Sequence, residues 1–161
     1  MAIPIVAFAA WSGTGKTTLI EHLIPPLKAA GLRLAVIKHA AHGTDAGDGE
    51  RDSDRFVRAG ADRVILSGPG KDQPERSLQE ILAEIRDVDL ILAEGYKNEP
   101  LPQIGLARAP EMHFPSADLH RYLAVVTDEE IPSPVPCFAF DDINGITQFL
   151  LTEIVRKTAC D

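Results

Sequence analysis

The feature that most constrains the fold is a glycine-rich segment that joins an apolar stretch to the start of a helical pattern. The apolar run covers residues 3–9, and Ala-Trp-Ser-Gly-Thr-Gly-Lys-Thr-Thr follows at residues 10–18. A strand, a tight glycine loop and a helix start, in this order, form the context of a phosphate-binding P-loop. Backbone N–H groups of such a loop point into a concavity, and the helix N-terminus adds a favourable field for an anion.

Individual side chains of this segment have distinct predicted tasks. Gly13 and Gly15 allow backbone angles and a close phosphate approach that a Cβ atom would obstruct. Lys16 is predicted to reach the β- and γ-phosphates of a nucleotide, and the Thr17 hydroxyl to ligate Mg²⁺. Ala10 stands where the usual motif has its first glycine. An alanine requires an ordinary φ angle at this point of the loop. The predicted phosphate-binding residues are Ser12, Gly13, Thr14, Gly15, Lys16, Thr17 and Thr18.

Composition limits the classes of protein to which the chain can belong. Its 161 residues, 45% hydrophobic and 25% charged, suit a single nucleotide-binding domain over residues 1–161. A net charge of −8 disfavours a nucleic-acid partner, because a broad basic surface is missing. Two isolated cysteines suit a reducing compartment, and no apolar run reaches the roughly 20 residues that cross a bilayer. We therefore expect a cytoplasmic protein without a membrane partner.

Alternating apolar strands and helical patterns predict an α/β fold. The predicted strands cover residues 3–9, 32–38, 63–67, 89–94, 103–107, 122–126 and 137–140. This alternation predicts a P-loop NTPase architecture, a mostly parallel sheet flanked by helices on both faces. No long crossover helix is predicted between 103–107 and 122–126, so we expect antiparallel pairing at this edge of the sheet. A second subunit can complete such an edge, which would give a homodimer.

A second informative stretch is a buried strand that ends in an acid and a glycine, Asp-Leu-Ile-Leu-Ala-Glu-Gly-Tyr-Lys at residues 89–97. Its form matches a Walker B strand, which carries a carboxylate to the edge of the phosphate site. Glu94 is therefore predicted to hold Mg²⁺ together with Thr17, or to orient the attacking water, and to act in catalysis with Lys16. Lys97 is a candidate anion contact, with a solvated loop lysine as the alternative.

The predicted second strand leads into Lys-His-Ala-Ala-His at residues 38–42 and a loop rich in Gly and Asp. A loop that leaves the carboxyl end of a strand beside a P-loop is the position of a nucleotide-sensing switch. Lys38, His39 and His42 are candidate contacts to phosphate or to a partner, and a solvated loop is the alternative. Asp52 or the serine after it is expected to cap the helix that follows.

Asp128 follows the predicted strand 122–126 and is a candidate for base recognition. A carboxylate there can accept hydrogen bonds from guanine N1–H and N2–H₂, groups that adenine lacks. The N-K-x-D motif of many GTPases is absent, so a helix or turn cap is the alternative for this residue.

Five segments together form a specific pattern: residues 8–19, 37–42, 90–97, 126–128 and 142–144. The combination of the P-loop with Lys-His-x-x-His and Glu-Gly-Tyr-Lys resembles the family of molybdopterin-guanine dinucleotide biosynthesis protein B, MobB. The resemblance extends over nearly the whole chain. Segment 68–76 has no motif that can be matched, and its role is not predicted.

The resemblance implies a GTP-binding homodimer with weak GTPase activity that assists formation of the molybdopterin guanine dinucleotide cofactor. Nucleotidyl transfer would belong to a partner, a MobA-type molybdenum cofactor guanylyltransferase. Whether molybdopterin itself binds is left open. By the same resemblance, residues 12–17 would bind the phosphates of GTP, Thr17 and Glu94 would serve Mg²⁺, and residues 38–42 would form a switch-like loop.

Two other functional classes are alternatives. A P-loop small-molecule kinase usually carries several Arg or Lys residues in a lid that clamps the transferred phosphoryl group. Arg108 and Arg121 lie in the expected half of the chain, but no arginine-rich segment accompanies them. A GTPase metallochaperone is expected to carry a Cys/His cluster, which the scattered Cys and His residues do not supply convincingly.

Overall fold

Parallel strands form one seven-stranded sheet in the computed structural model, which describes residues 2–40, 47–69 and 74–160. Numbered along the chain, they are β1 (Ile5–Ala9), β2 (Leu34–His39), β3 (Arg63–Ser67), β4 (Leu90–Glu94), β5 (Gln103–Ala107), β6 (Ala124–Thr127) and β7 (Cys137–Ala139). Their order across the sheet is β3-β2-β4-β1-β5-β6-β7, and every neighbouring pair is parallel. The strand before the predicted P-loop, β1, therefore lies at the centre, between β4 and β5.

Helices cover both faces of this sheet. They are α1 (Lys16–Ala29), α2 (Gly47–Ala59), α3 (Leu78–Glu84) and α4 (Ile143–Phe149), and α4 continues through π-helical turns at Leu150–Arg156 to Lys157–Cys160. Apolar side chains of α1, α2 and α4 pack with Val6 and Phe8 on one face. Leu78 and Ile81 of α3 pack with Ala7 on the other. The predicted α/β fold is confirmed. Within the described residues, no helix combines the length and the apolar character needed to span a membrane.

The start of α2 differs from the sequence prediction. The helix begins at Gly47, whereas a loop was expected up to residue 50 and a cap near Asp52. Asp52 therefore lies inside the helix rather than at its end. Its carboxylate is 2.9 Å from the Lys38 ammonium, so it forms an ion pair with β2 instead of a cap.

The expected antiparallel pairing at one edge of the sheet is wrong. β5 and β6 run parallel, with Ile104 beside Ala124 in register, and β7 is parallel to β6. Residues 108–123 return the chain to the opposite end of the sheet without an α-helix, through a 3₁₀ turn at Leu119–Arg121. A parallel crossover needs about a dozen residues or more rather than a helix as such, and this segment has that length.

An aromatic side chain holds this crossover against the sheet. Tyr122 is buried, and its ring lies directly over Gly105 of β5, where a Cβ atom would come within 2.9 Å of the ring. The Tyr122 hydroxyl accepts a hydrogen bond from the Ser116 backbone N–H at 2.9 Å. Gly105 therefore provides the space in which the crossover packs.

We predict that Gly105→Ala lowers the free energy of unfolding by about 2 kcal/mol, because the added methyl group overpacks the contact with the Tyr122 ring. Urea denaturation measures this loss. In a Tyr122→Leu background the same substitution is expected to cost clearly less, since the flat ring is gone. Equal costs in the two backgrounds would show that the ring is not the obstacle.

Candidate phosphate-binding site

The segment between β1 and α1 forms a loop whose shape depends on two glycines. Gly13 and Gly15 have φ angles of 81° and 106°, in the left-handed region that residues with a Cβ rarely adopt. The Thr14 hydroxyl donates to the Trp11 carbonyl oxygen at 2.7 Å and closes the loop. α1 begins directly after it at Lys16, so the N-terminal end of a 14-residue helix lies at this loop.

Lys16 reaches back over the loop from the first turn of α1. Its Nζ donates to the carbonyl oxygen of Ala10 at 3.1 Å. Burial lowers the pKa of Lys16, and the negative charge of Glu94 opposes this effect in part. A partly desolvated ammonium interacts more strongly with a phosphate oxygen than one in bulk water.

Glu94 ends β4, beside Phe8 of β1 in the parallel register, and is only 4% exposed. Its Oε1 accepts a hydrogen bond from the Thr17 hydroxyl at 2.5 Å and lies 3.1 Å from the Lys38 ammonium. Its Oε2 is buried and has no hydrogen-bond partner within the described part of the chain. Such an oxygen is unusual in a folded protein and is a position where a ligand atom or a water molecule can bind.

Lys38 lies between two carboxylates. Its Nζ is 2.9 Å from Oδ2 of Asp52 and 3.1 Å from Oε1 of Glu94. Burial alone would lower the pKa of Lys38, but the charge of Glu94 and the hydrogen bonds to Asp52 and Glu94 raise it above its ordinary value. Lys38 is therefore charged at neutral pH and compensates both carboxylates.

The oxygen atoms of this cluster suit a magnesium ion. Mg²⁺ prefers hard oxygen ligands and is usually bound through one or two carboxylates together with phosphate oxygens. The Thr17 hydroxyl is 2.5 Å from Oε1 of Glu94 and 3.4 Å from Oδ2 of Asp52. The unpartnered Oε2 of Glu94 is a further oxygen that can bind such an ion. The residues present therefore fit Mg²⁺, the ion that the sequence predicts. Asp52 was not among the residues predicted for this site. It lies in a polar helix, and no sequence pattern links it to Lys38, which lies 14 residues earlier on β2.

Two predicted residues lie outside the carboxylate cluster. His39 lies next to Lys38 on β2 and therefore points to the opposite face, where its Nε2 is 2.5 Å from Glu75 Oε1. Its ring is 5.4 Å from that of Tyr96. The ammonium of Lys97 lies 4.0 Å from the centre of the exposed Trp11 ring, at the rim of the loop.

The remaining P-loop candidates are placed as follows. Ser12 is exposed on the loop. The hydroxyl of Thr18 accepts a hydrogen bond from Arg55 Nη2 at 3.1 Å and so faces α2. His42 lies outside the described residues. The structure thus brings Lys16, Thr17, Lys38 and Glu94 together, with Asp52 as an addition.

On the other side of β1, two side chains follow strand ends directly. Asp128 follows β6, and its Oδ1 accepts a hydrogen bond from the Ala109 backbone N–H at 2.8 Å. Arg108 follows β5, and its Nε donates to the Thr14 carbonyl oxygen at 2.7 Å. Its guanidinium carbon lies 3.8 Å from the centre of the Phe140 ring. The sequence names Arg108 only as a candidate lid residue of a kinase, and no motif links it to the P-loop.

Comparison with known proteins identifies the family. Residues 5–128 match the family described as molybdopterin guanine dinucleotide synthesis protein B, MobB. The chain belongs to this family. Among other MobB-type proteins, the molybdopterin-guanine dinucleotide biosynthesis adapter protein of Escherichia coli K12 is 38% identical over an alignment 163 residues long, which covers 92% of this chain and 92% of that one.

Solved structures agree with this family assignment. The crystal structure of the MobB homolog from Bacillus stearothermophilus matches with a TM-score of 0.62 and 25% identity, over 95% of this chain and 98% of that one. HypB from Helicobacter pylori, solved in complex with nickel, matches with a TM-score of 0.64 at 16% identity, over 98% of this chain and 89% of that one. The second likeness concerns the fold alone, which is that of P-loop NTPases.

We predict that Lys38→Met lowers the free energy of unfolding by about 3 kcal/mol, because the buried carboxylate of Glu94 and the partly exposed one of Asp52 lose their shared cation. Urea denaturation in magnesium-free buffer at neutral pH measures this loss. Lys28→Met is the matched control: its ion pair with Asp62 is 31% and 40% exposed, and its loss should cost below about 1 kcal/mol. Similar small losses in both variants would contradict the compensating role of Lys38.

Proposed function

We propose that this MobB-family chain binds Mg·GTP and acts as an adapter in the synthesis of molybdopterin guanine dinucleotide. The observation that carries the nucleotide part is the buried Oε2 of Glu94, which has no hydrogen-bond partner within the described residues and lies beside the Thr17 hydroxyl at the P-loop. Family membership supports the cofactor part, since the Escherichia coli relative is named as an adapter of this synthesis.

Each part of the site has a task in triphosphate binding. The loop amides, the N-terminal end of α1 and Lys16 bind the β- and γ-phosphates. Thr17 and Glu94 hold Mg²⁺, with Asp52 close by. When bound, this ion neutralises charge on the phosphate oxygens. Lys38 shares Oε1 of Glu94 with the Thr17 hydroxyl, so its contacts are expected to change when nucleotide binds.

Hydrolysis of GTP is expected to be slow in the isolated protein. Glu94 can orient a water molecule, and Lys16 stabilises charge that develops on the γ-phosphate. Unassisted GTPases turn over at about 10⁻⁴ to 10⁻² s⁻¹, and we expect a rate in this range. Turnover of tens per second without a partner would contradict this part of the proposal.

The proposed partner is a MobA-type guanylyltransferase, which performs the nucleotidyl transfer while this chain holds nucleotide. A homodimer is also proposed. Both outer strands, β3 and β7, lie at an edge of the described sheet with one neighbour each, and a second subunit can pair there. Sedimentation of the purified protein, alone and mixed with a MobA-type protein, tests both associations.

Calorimetric titration with Mg·GTP and Mg·ATP, with and without the MobA-type protein, tests the central proposal. A clear preference for GTP is the expected result. Equal or tighter binding of ATP would contradict it and would favour a small-molecule kinase, for which small phosphate acceptors would then be screened.

We predict that Lys16→Ala weakens Mg·GTP binding by about 100-fold or more, because a charge-assisted contact to the phosphates is lost in a partly desolvated site. Calorimetry measures the affinity, and urea denaturation checks that the fold is retained. Lys28→Ala, which removes the same charge from the far end of α1, should bind as the unmodified protein does. Unchanged binding by Lys16→Ala would refute the assignment of the loop.

A further inference from the structure

The strand order divides the edge of the sheet at the P-loop into two sides. On one side of β1, the strands β4 and β2 carry Glu94 and Lys38. On the other side, β5, β6 and β7 are followed directly by Arg108, Asp128 and Phe140. Under the proposed function, Mg²⁺ and the γ-phosphate lie on the Glu94 side. The nucleoside of the same ligand can then extend towards the β5–β7 side.

The guanidinium of Arg108 has a fixed place on this second side. Its Nε donates to the Thr14 carbonyl oxygen at 2.7 Å. A Cβ atom built on Gly15 would lie 3.0 Å from Nη2, so the group rests directly against the P-loop backbone. Its central carbon lies 3.8 Å from the centre of the Phe140 ring, which places the planar group over the ring. A hydrogen bond to the P-loop and a ring contact with Phe140 thus hold the guanidinium from two parts of the fold.

We propose that Arg108, supported by Phe140, is the surface against which the base of the bound nucleotide stacks. Planar guanidinium groups stack on aromatic rings, and a purine offers such a ring to the face that Phe140 does not cover. Arg108 is an exposed residue in the structure. The inference rests on the proposed function, because it takes a nucleotide as the ligand.

Asp128, the carboxylate predicted as a candidate for base recognition, is anchored next to Arg108. Asp128 is joined to the residue after Arg108, since its Oδ1 accepts a hydrogen bond from Ala109 N–H at 2.8 Å. The stacking plane and the predicted guanine-reading carboxylate are therefore parts of one connected structure. Because Arg108 also bonds to Thr14, the same side chain sets the position of the base relative to the phosphate-binding loop.

Two ligands separate stacking on the base from an ordinary phosphate contact. GTP contains a base and a triphosphate, whereas inorganic tripolyphosphate has the anionic chain alone. Binding of each, with Mg²⁺, is measured by calorimetry for the unmodified protein and for Arg108→Ala, Arg108→Lys and Phe140→Leu. Arg121→Ala removes the same charge from the opposite end of the sheet, before the start of β6, and is the matched control.

Arg108→Ala is expected to weaken GTP binding about tenfold and to leave tripolyphosphate binding within about twofold. Arg108→Lys should resemble Arg108→Ala, because lysine keeps the charge but has no plane. Phe140→Leu should weaken GTP binding about threefold, since the guanidinium loses its support, and Arg121→Ala should change neither ligand. Retained tripolyphosphate binding shows at the same time that each variant still folds with an intact loop.

Equal weakening of both ligands by Arg108→Ala would overturn the proposal, because it would make Arg108 a phosphate or loop contact. Unchanged GTP binding would overturn it as well.

Failure of the proposed function would give different results in the same experiment. If the unmodified protein binds ATP as tightly as GTP, the guanine role fails, and the same Arg108 comparison made with ATP still tests stacking. If it binds neither nucleotide nor tripolyphosphate, both proposals fail.

Discussion

The central constraint on this structure is a carboxylate that is buried at the end of a central strand. An ionised carboxylate away from water costs several kcal/mol unless cations and hydrogen bonds compensate it. Lys38 supplies the cation because it lies beside Glu94 in the parallel register of β2 and β4. The register of β4 with β1 places the same carboxylate beside the loop and Thr17. A slip of one residue in either pairing would turn Glu94 away, so strand register and charge balance are coupled.

Local sequence patterns were sufficient for much of this arrangement. The P-loop and the strand that ends at Glu94 each have a short signature, and an alternating α/β fold brings such strand ends to one edge of the sheet. The contacts of Asp52 with Lys38 and of Arg108 with Thr14 could not be predicted, because neither Asp52 nor Arg108 belongs to a recognised motif. Isolated polar residues have no periodicity that would point to such contacts.

The error at the sheet edge has a similar origin. The segment between β5 and β6 lacks a helical pattern, and a short antiparallel connection was the simplest interpretation of it. The chain instead makes a parallel crossover, in which the Tyr122 ring lies over Gly105. The ring occupies the space that a side chain at residue 105 would need. An absent side chain has no hydrophobic signal, and only the folded structure shows what fills its place. HypB shares this fold at only 16% identity, and a fold by itself does not determine function.

The position of β4 has a consequence for how the chain folds. β4 is synthesised after β1, β2 and β3, yet it lies between β1 and β2 in the finished sheet. A nascent chain that ends before residue 90 lacks the strand that joins β1 to the β2–β3 pair, which leaves a gap one strand wide between them. Domains begin to fold while they are still being synthesised, and non-local parallel pairing is slow. The centre of the sheet can therefore close only late, in the same event that delivers Glu94 to the loop.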